Sequence, residues 1–188
     1  MIWLLLGLAL WWGAHLVKPL APALRARAVA RIGEGPWRGC ALVALIVSIW
    51  LMSVGYGAAA APPWWVLPNW GKHLIAALML PALMLVVGSY PGSLARSVVR
   101  HPQLTGFKLW AALHLIANGD LRSTVLFGGL LAWAVVTVVA LNRRDGRPPL
   151  PEPSPSPVRR WGFAVVGMVA WAALIALHPW LFGVSPIR

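Results

Sequence analysis

The fold class predicted for this chain is all-α: a polytopic membrane bundle of about six transmembrane helices, with both termini on the periplasmic side. Three observations carry that prediction. Hydrophobic residues fill 60% of the 188 positions and charged ones only 11%, which is too apolar for a soluble domain of this length. The apolar residues fall into six runs bounded by charge, Pro or Gly, each read against the roughly 20 residues that a spanning helix needs. The 16 Lys and Arg sit almost entirely between the runs, concentrated in alternate loops, as the positive-inside rule requires of a multi-span protein.

The first run, 2–17, has no basic residue before it and carries Trp3, Trp11 and Trp12, so it reads as a retained helix and not as a cleaved signal peptide. The second covers 39–57. A loop over 58–72 follows, with Pro62, Pro63, Trp64, Trp65, Pro68 and Trp70, a mixture suited to the headgroup layer. The third run is 73–90. The fourth, 104–117, is short: 14 residues at 1.5 Å each cover only about 21 Å. The fifth is 123–141, where Gly128, Gly129 and Ala132 read as a small-residue packing surface. The sixth, 162–182, follows a Pro- and Ser-rich stretch. The expected organisation is a transmembrane domain over 1–145, a cytoplasmic Pro-rich linker over 146–160, and a C-terminal transmembrane helix over 161–188 added to a five-helix core.

Thirteen of the 16 cations lie in the first, third and fifth loops, leaving only Lys72, Arg122 and Arg188 on the other side. That bias orients the bundle, with both termini periplasmic if the membrane is the inner membrane of a bacterium. The net charge of +12 is therefore topology. It forms no basic stripe on a soluble fold, so nucleic acid is not an expected partner. The bilayer is.

The chemical inventory is narrow. The single Cys40 excludes an internal disulfide, a Cys-based zinc site and covalent haem attachment. Four acids, Glu34, Asp120, Asp145 and Glu152, leave little for paired-carboxylate hydrolysis. Five histidines remain. His15 falls in the last turn of the first run, where it is either an interfacial residue reaching for the headgroups or a ligand. His114 lies about ten residues into the fourth run, some 15 Å from its start, and is either a neutral His bonded to a backbone carbonyl or a cofactor ligand. His101 precedes Pro102, which suits a first-turn position, and reads as a cap or interfacial residue. It stands about 20 Å from His114 along one helix, too far for both to share an ion. His73 and His178 read as interfacial, with an entry-site role open for His73. Asn118, Gly119 and Asp120 read as a tight turn, Gly left-handed and Asp capping the next helix.

Taken together, His101-Pro102, Leu104, Gly106, Lys108, Trp110-Ala111, His114-Leu115, Ala117-Asn118-Gly119-Asp120, Leu126-Phe127-Gly128 and Leu131-Ala132-Trp133 resemble the NnrU family of small bacterial membrane proteins. His15, Gly33-Glu34, Arg38-Gly39, Gly55-Tyr56, the Trp65, Pro68, Trp70, His73 series and Tyr90-Pro91-Gly92 extend the likeness over about the first 145 residues. The family is named for a gene neighbourhood of nitrite and nitric oxide reduction, which implies a supporting role there. The same domain is similar to the core of 15-cis-zeta-carotene isomerase, an enzyme of plants and cyanobacteria that uses haem b.

The resemblance implies haem b held by two histidines, and the matching positions are His15 and His114. His15 lies toward the cytoplasmic face and His114 nearer mid-membrane, so tilt or an offset of a turn or two must bring them together. Other candidate site residues are His73, which could replace His15, and His101, Asn118 and Asp120. No catalytic residue is singled out. Some positions depart from the pattern: Ala111 replaces the isomerase's cysteine three residues before its second ligand, Leu16 replaces the usual Ser after the first-helix His, and Gly129 stands where Ser is common. The expected function is a redox role or a polyene cis-trans isomerase-type role, with a hydrophobic small molecule or a redox partner bound. The rival is a non-catalytic membrane factor assisting assembly of a denitrification reductase. A small transporter is disfavoured by the lack of internal repeats, mid-helix breaks and buried acids.

Overall fold

The computed structural model of the chain describes residues 1–147 and 149–187. Pro148, in the Pro-rich stretch, and Arg188, counted above on the cation-poor side, lie outside the described residues.

All six apolar runs form helices, each longer than its run at one end or both: α1 (Ile2–Leu20), α3 (Glu34–Ala58), α4 (Asn69–Val87), α6 (Pro102–Ala117), α7 (Leu121–Asp145) and α8 (Pro157–Phe182). Two more helices arise inside predicted loops, α2 (Pro22–Ile32) and α5 (Leu94–Val98). Helix α2 starts with Pro at its first position and is rich in Ala and Arg, good helix formers that a search for apolar runs passes over. It ends at Gly33, whose φ of +86° turns the chain into α3 in a region that side-chain-bearing residues avoid. In α5 the Ser93 hydroxyl accepts the Arg96 N–H and donates to the Gly88 carbonyl at 2.5 Å.

By length and composition α1, α3, α4, α7 and α8 can each cross a membrane. Helix α6 has 16 residues, about 24 Å, and stays the short element that the sequence indicated. Lys108 lies inside it, two turns from its start, and not in the loop before it.

The chain divides into two compact units. One comprises Met1–Pro63 with Asp120–Gly146. In it α1 and α3 run antiparallel in close contact: a Cβ on Gly55 would strike the Leu4 backbone, and one on Gly7 would come within 2.7 Å of the Met52 backbone nitrogen. Helix α7 runs parallel to α1, with Leu8 against Gly129 and the Arg144 guanidinium donating to the Lys18 carbonyl at 3.2 Å. Gly128, expected beside Gly129 in a packing surface, faces open space. The Tyr56 and Ser123 hydroxyls share a hydrogen bond of 2.7 Å, which joins the end of α3 to the start of α7.

The other unit comprises Trp64–Gly119 with the residues from Arg147 onward. Helix α6 lies antiparallel to α4, Gly106 against the Ala82 carbonyl and Val86. Helix α8 packs antiparallel on another side of α4: Gly167 admits Met84, the Trp171 indole donates to the Ala76 carbonyl at 2.7 Å, and the Tyr90 hydroxyl accepts the Phe163 N–H.

Large apolar side chains are not confined to the interior. Ser48 and Ser123 are fully buried and Thr137 nearly so, whereas Leu42, Ile46, Trp50, Val165 and Val169 are exposed. Each buried hydroxyl has a partner, Ser48 and Thr137 donating to carbonyls in their own helices, as a medium without water demands. Small residues at helix contacts with large apolar ones outside is the pattern of helices that associate in lipid.

Candidate functional site

His15 sits in α1 within the first unit. Its Nδ1 lies 3.0 Å from the Trp11 carbonyl, and since a carbonyl can only accept, Nδ1 carries the proton and Nε2 the lone pair. The ring packs on Trp11 at 4.2 Å and edge-on to Trp133 of α7 at 4.7 Å, while Trp11 and Trp133 meet each other at 5.3 Å. Next to it the Trp12 indole donates to the Gly129 carbonyl at 3.1 Å, so the position where Ser is common contributes its backbone alone. The aromatic wall around His15 brings together residues more than 110 positions apart.

His114 sits in α6 within the second unit and repeats the construction. Its Nδ1 lies 3.0 Å from the Trp110 carbonyl and its ring packs on Trp110 at 4.6 Å. Again Nε2 is left as the atom with the lone pair. Ala111, on the same helix one turn before His114, is fully buried.

The shared unit is Trp-x-x-x-His, Trp11 to His15 and Trp110 to His114, a spacing that puts both rings on one helix face. It is legible in the sequence, and the search by histidine depth passed over it. His73 and His178 have their Nδ1 atoms on the carbonyls of Asn69 and Val184, at 2.8 and 2.7 Å, but neither has a Trp four residues before it, Trp70 standing three before His73. Both are at helix ends, as expected.

Around the end of α6 the structure corrects the predicted turn. Gly119 has no positive φ. It is required because the Trp65 ring lies against its Cα, where a Cβ would collide. Trp65 pairs with Gly119 in an isolated bridge, the Trp64 N–H donates to the Gly119 carbonyl at 2.5 Å, and the Trp65 indole donates to the Ile116 carbonyl at 3.1 Å. Asn118 closes the helix, its side-chain amide and backbone N–H both donating to the His114 carbonyl at 2.9 Å. His101 is the N-cap residue of α6 without a side-chain cap bond, and Pro102 takes the first turn.

Asp120 caps α7, its Oδ1 accepting the Ser123 N–H at 2.7 Å. Arg122 lies 3.8 Å from Asp120, covers the Tyr56 ring at 4.6 Å and donates to the Tyr56 and Ala59 carbonyls. These polar groups tie α3 to α7 within the first unit. Glu34 is accounted for in the same structural way: Arg25 grips both its oxygens at 2.6 and 2.9 Å, and Arg38 one of them at 3.0 Å, which closes the turn from α2 to α3.

Among the described residues no three His, Cys, Asp or Glu side chains converge on one point. A haem iron asks for only two protein ligands, and an imidazole whose Nδ1 is held by a backbone carbonyl, as in His15 and in His114, is a ligand type that serves there.

No curated protein and no solved structure matches the chain. The family model described as NnrU protein matches residues 3–186, running past the first 145 residues to take in α8 as well. The chain belongs to the NnrU family.

Proposed function

We propose that this chain binds haem b through His15 and His114 in the inner membrane of a bacterium. Its role is of the redox or polyene cis-trans isomerase type, in support of nitrite or nitric oxide metabolism. The observation that carries this reading is the repeated Trp-x-x-x-His construction. In both copies a carbonyl one turn back fixes the tautomer with Nε2 unprotonated, and a Trp ring limits the imidazole's rotation. Metal-binding histidines are set up by this kind of outer hydrogen bond, which raises ligand basicity and holds ring orientation.

Bound there, the haem would supply either one-electron transfer or an iron able to weaken a polyene double bond. The chain's own part is to hold the ligands, exclude water with the Trp11 and Trp133 surface, and offer an apolar outside through which a hydrophobic molecule can enter from lipid.

A second pairing, His73 with His114, is favoured by one observation. Helices α4 and α6 pack antiparallel, so the start of α4, with His73, and the end of α6, with His114, lie at one end of the same unit.

The placement of both termini on one side of the membrane finds support in the helix directions of the first unit. Since α7 is parallel to α1 and α3 antiparallel, the chain makes an even number of crossings between α3 and α7. Helix α4 is one of these and α6 supplies the return.

The test of function uses protein reconstituted with haem in liposomes, incubated with a cis-polyene under reducing conditions and, separately, with a nitrite or nitric oxide reductase. Polyene conversion or haem-dependent electron delivery supports the proposal. If haem loads but neither follows, the functional half fails. If haem does not load and the protein still raises reductase assembly in cells, it is a non-catalytic factor.

A further inference from the structure

We propose that the first unit carries a site for one anionic phospholipid at the basic end of α1 and α7. A groove of about 350 Å³ opens there, with Leu20 on one side, Val136, Val139 and Ala140 on the other, and Arg143 and Arg144 at its rim. That volume is in the range of small-molecule sites. The walls are apolar and the rim is cationic, which is the division between a lipid's acyl chain and its phosphate. The site makes no use of the histidines and does not depend on haem.

The two arginines do different work. Arg144 is committed: its Nε and Nη2 hold Asp145 at 2.6 and 2.7 Å and its Nη1 reaches the Lys18 carbonyl at 3.2 Å, so it fixes the end of α7 against α1. Arg143 and Lys18 are exposed and have no ion pair among the described residues. The acids at this end of the unit are spent, Asp145 on Arg144 and Glu34 on Arg25 and Arg38. A positive field is thus left at the mouth of a hydrocarbon-lined groove, at the boundary where two spans end. Basic pockets between spanning helices at that level select anionic headgroups. A free phosphate would gain nothing from Val136, Val139 and Ala140, and a choline headgroup would bring a cation toward Arg143.

The full chain, purified in detergent and delipidated, is titrated with dioleoylphosphatidylglycerol, dioleoylphosphatidylcholine or inorganic phosphate, and bound lipid is counted by native mass spectrometry. One phosphatidylglycerol per chain is expected, with phosphatidylcholine much weaker and phosphate not competing at equal concentration. Replacing Lys18 and Arg143 together by Gln should weaken phosphatidylglycerol binding about five-fold per charge removed. Val139→Trp should abolish it by filling the groove with the charges in place, and Arg31→Gln, on α2, should leave it unchanged. Circular dichroism checks that each variant keeps its helices, and the double Gln variant decides alone if Val139→Trp does not fold. Equal retention of the two lipids, competition by phosphate, or full binding by the double Gln variant would overturn the site.

Discussion

At the residue scale, the side chains that make chemistry available are held by short-range devices. His15 and His114 each bond the carbonyl one helical turn back and lean on the Trp that supplies it. Asp120 is held by the same economy in a purely structural task, capping α7 through Ser123. Asp120→Ala should lower thermal stability in detergent by about 1 kcal/mol, while Asp120→Asn, which keeps the accepting oxygen, should cost far less; haem content should follow neither. These local arrangements were legible, since capping and i to i+4 pairing depend on neighbours in sequence. The reason for Gly119 was not. It is set by Trp65, 54 positions earlier, and no local pattern says that an indole will lie on that Cα. Trp133 beside His15 was hidden for the same reason.

At the scale of elements, the apolar runs announced every long helix because lipid imposes a length and a composition that few other structures share. The two added helices escaped because they answer to neither constraint. Helix α2 is short and basic, with no buried residue, and α5 is about a turn and a half, capped at its start by Ser93. Which glycines matter was also beyond the sequence. Gly55 is pressed on the Leu4 backbone and Gly128 meets nothing within 4 Å. Gly55→Val should therefore separate α1 from α3 and cost about 3 kcal/mol or more by overpacking. Gly128→Ala should be neutral or stabilise by up to about 1 kcal/mol through helix propensity. Thermal unfolding of the two purified variants checks the contrast, and similar melting temperatures would mean that α1 and α3 do not meet at Gly55.

At the scale of the whole molecule, the alternating distribution of twelve against three cations, with Lys108 inside α6, favours one orientation, and the helix directions within the first unit agree with an even number of crossings. Both termini should therefore be periplasmic. A thiol-free Cys40→Ser chain with single cysteines introduced near each terminus should react with a membrane-impermeant maleimide in intact spheroplasts, and a cysteine placed at Arg27 should not. Labelling at Arg27 with protected termini would reverse the orientation, and labelling at one terminus only would remove α6 as a crossing.

The central claim is that His15 and His114 are the ligands of one haem. The most direct measurement is the absorption spectrum of the detergent-purified protein from haem-supplied cells, as isolated and after dithionite, for the wild type, His15→Ala, His114→Ala and His73→Ala. Bis-histidine ligation predicts a Soret band with sharp α and β bands on reduction, lost in the first two variants and kept in His73→Ala. Loss in His73→Ala with retention in His15→Ala would move the iron to the His73 pairing. A featureless wild-type spectrum would contradict haem binding altogether.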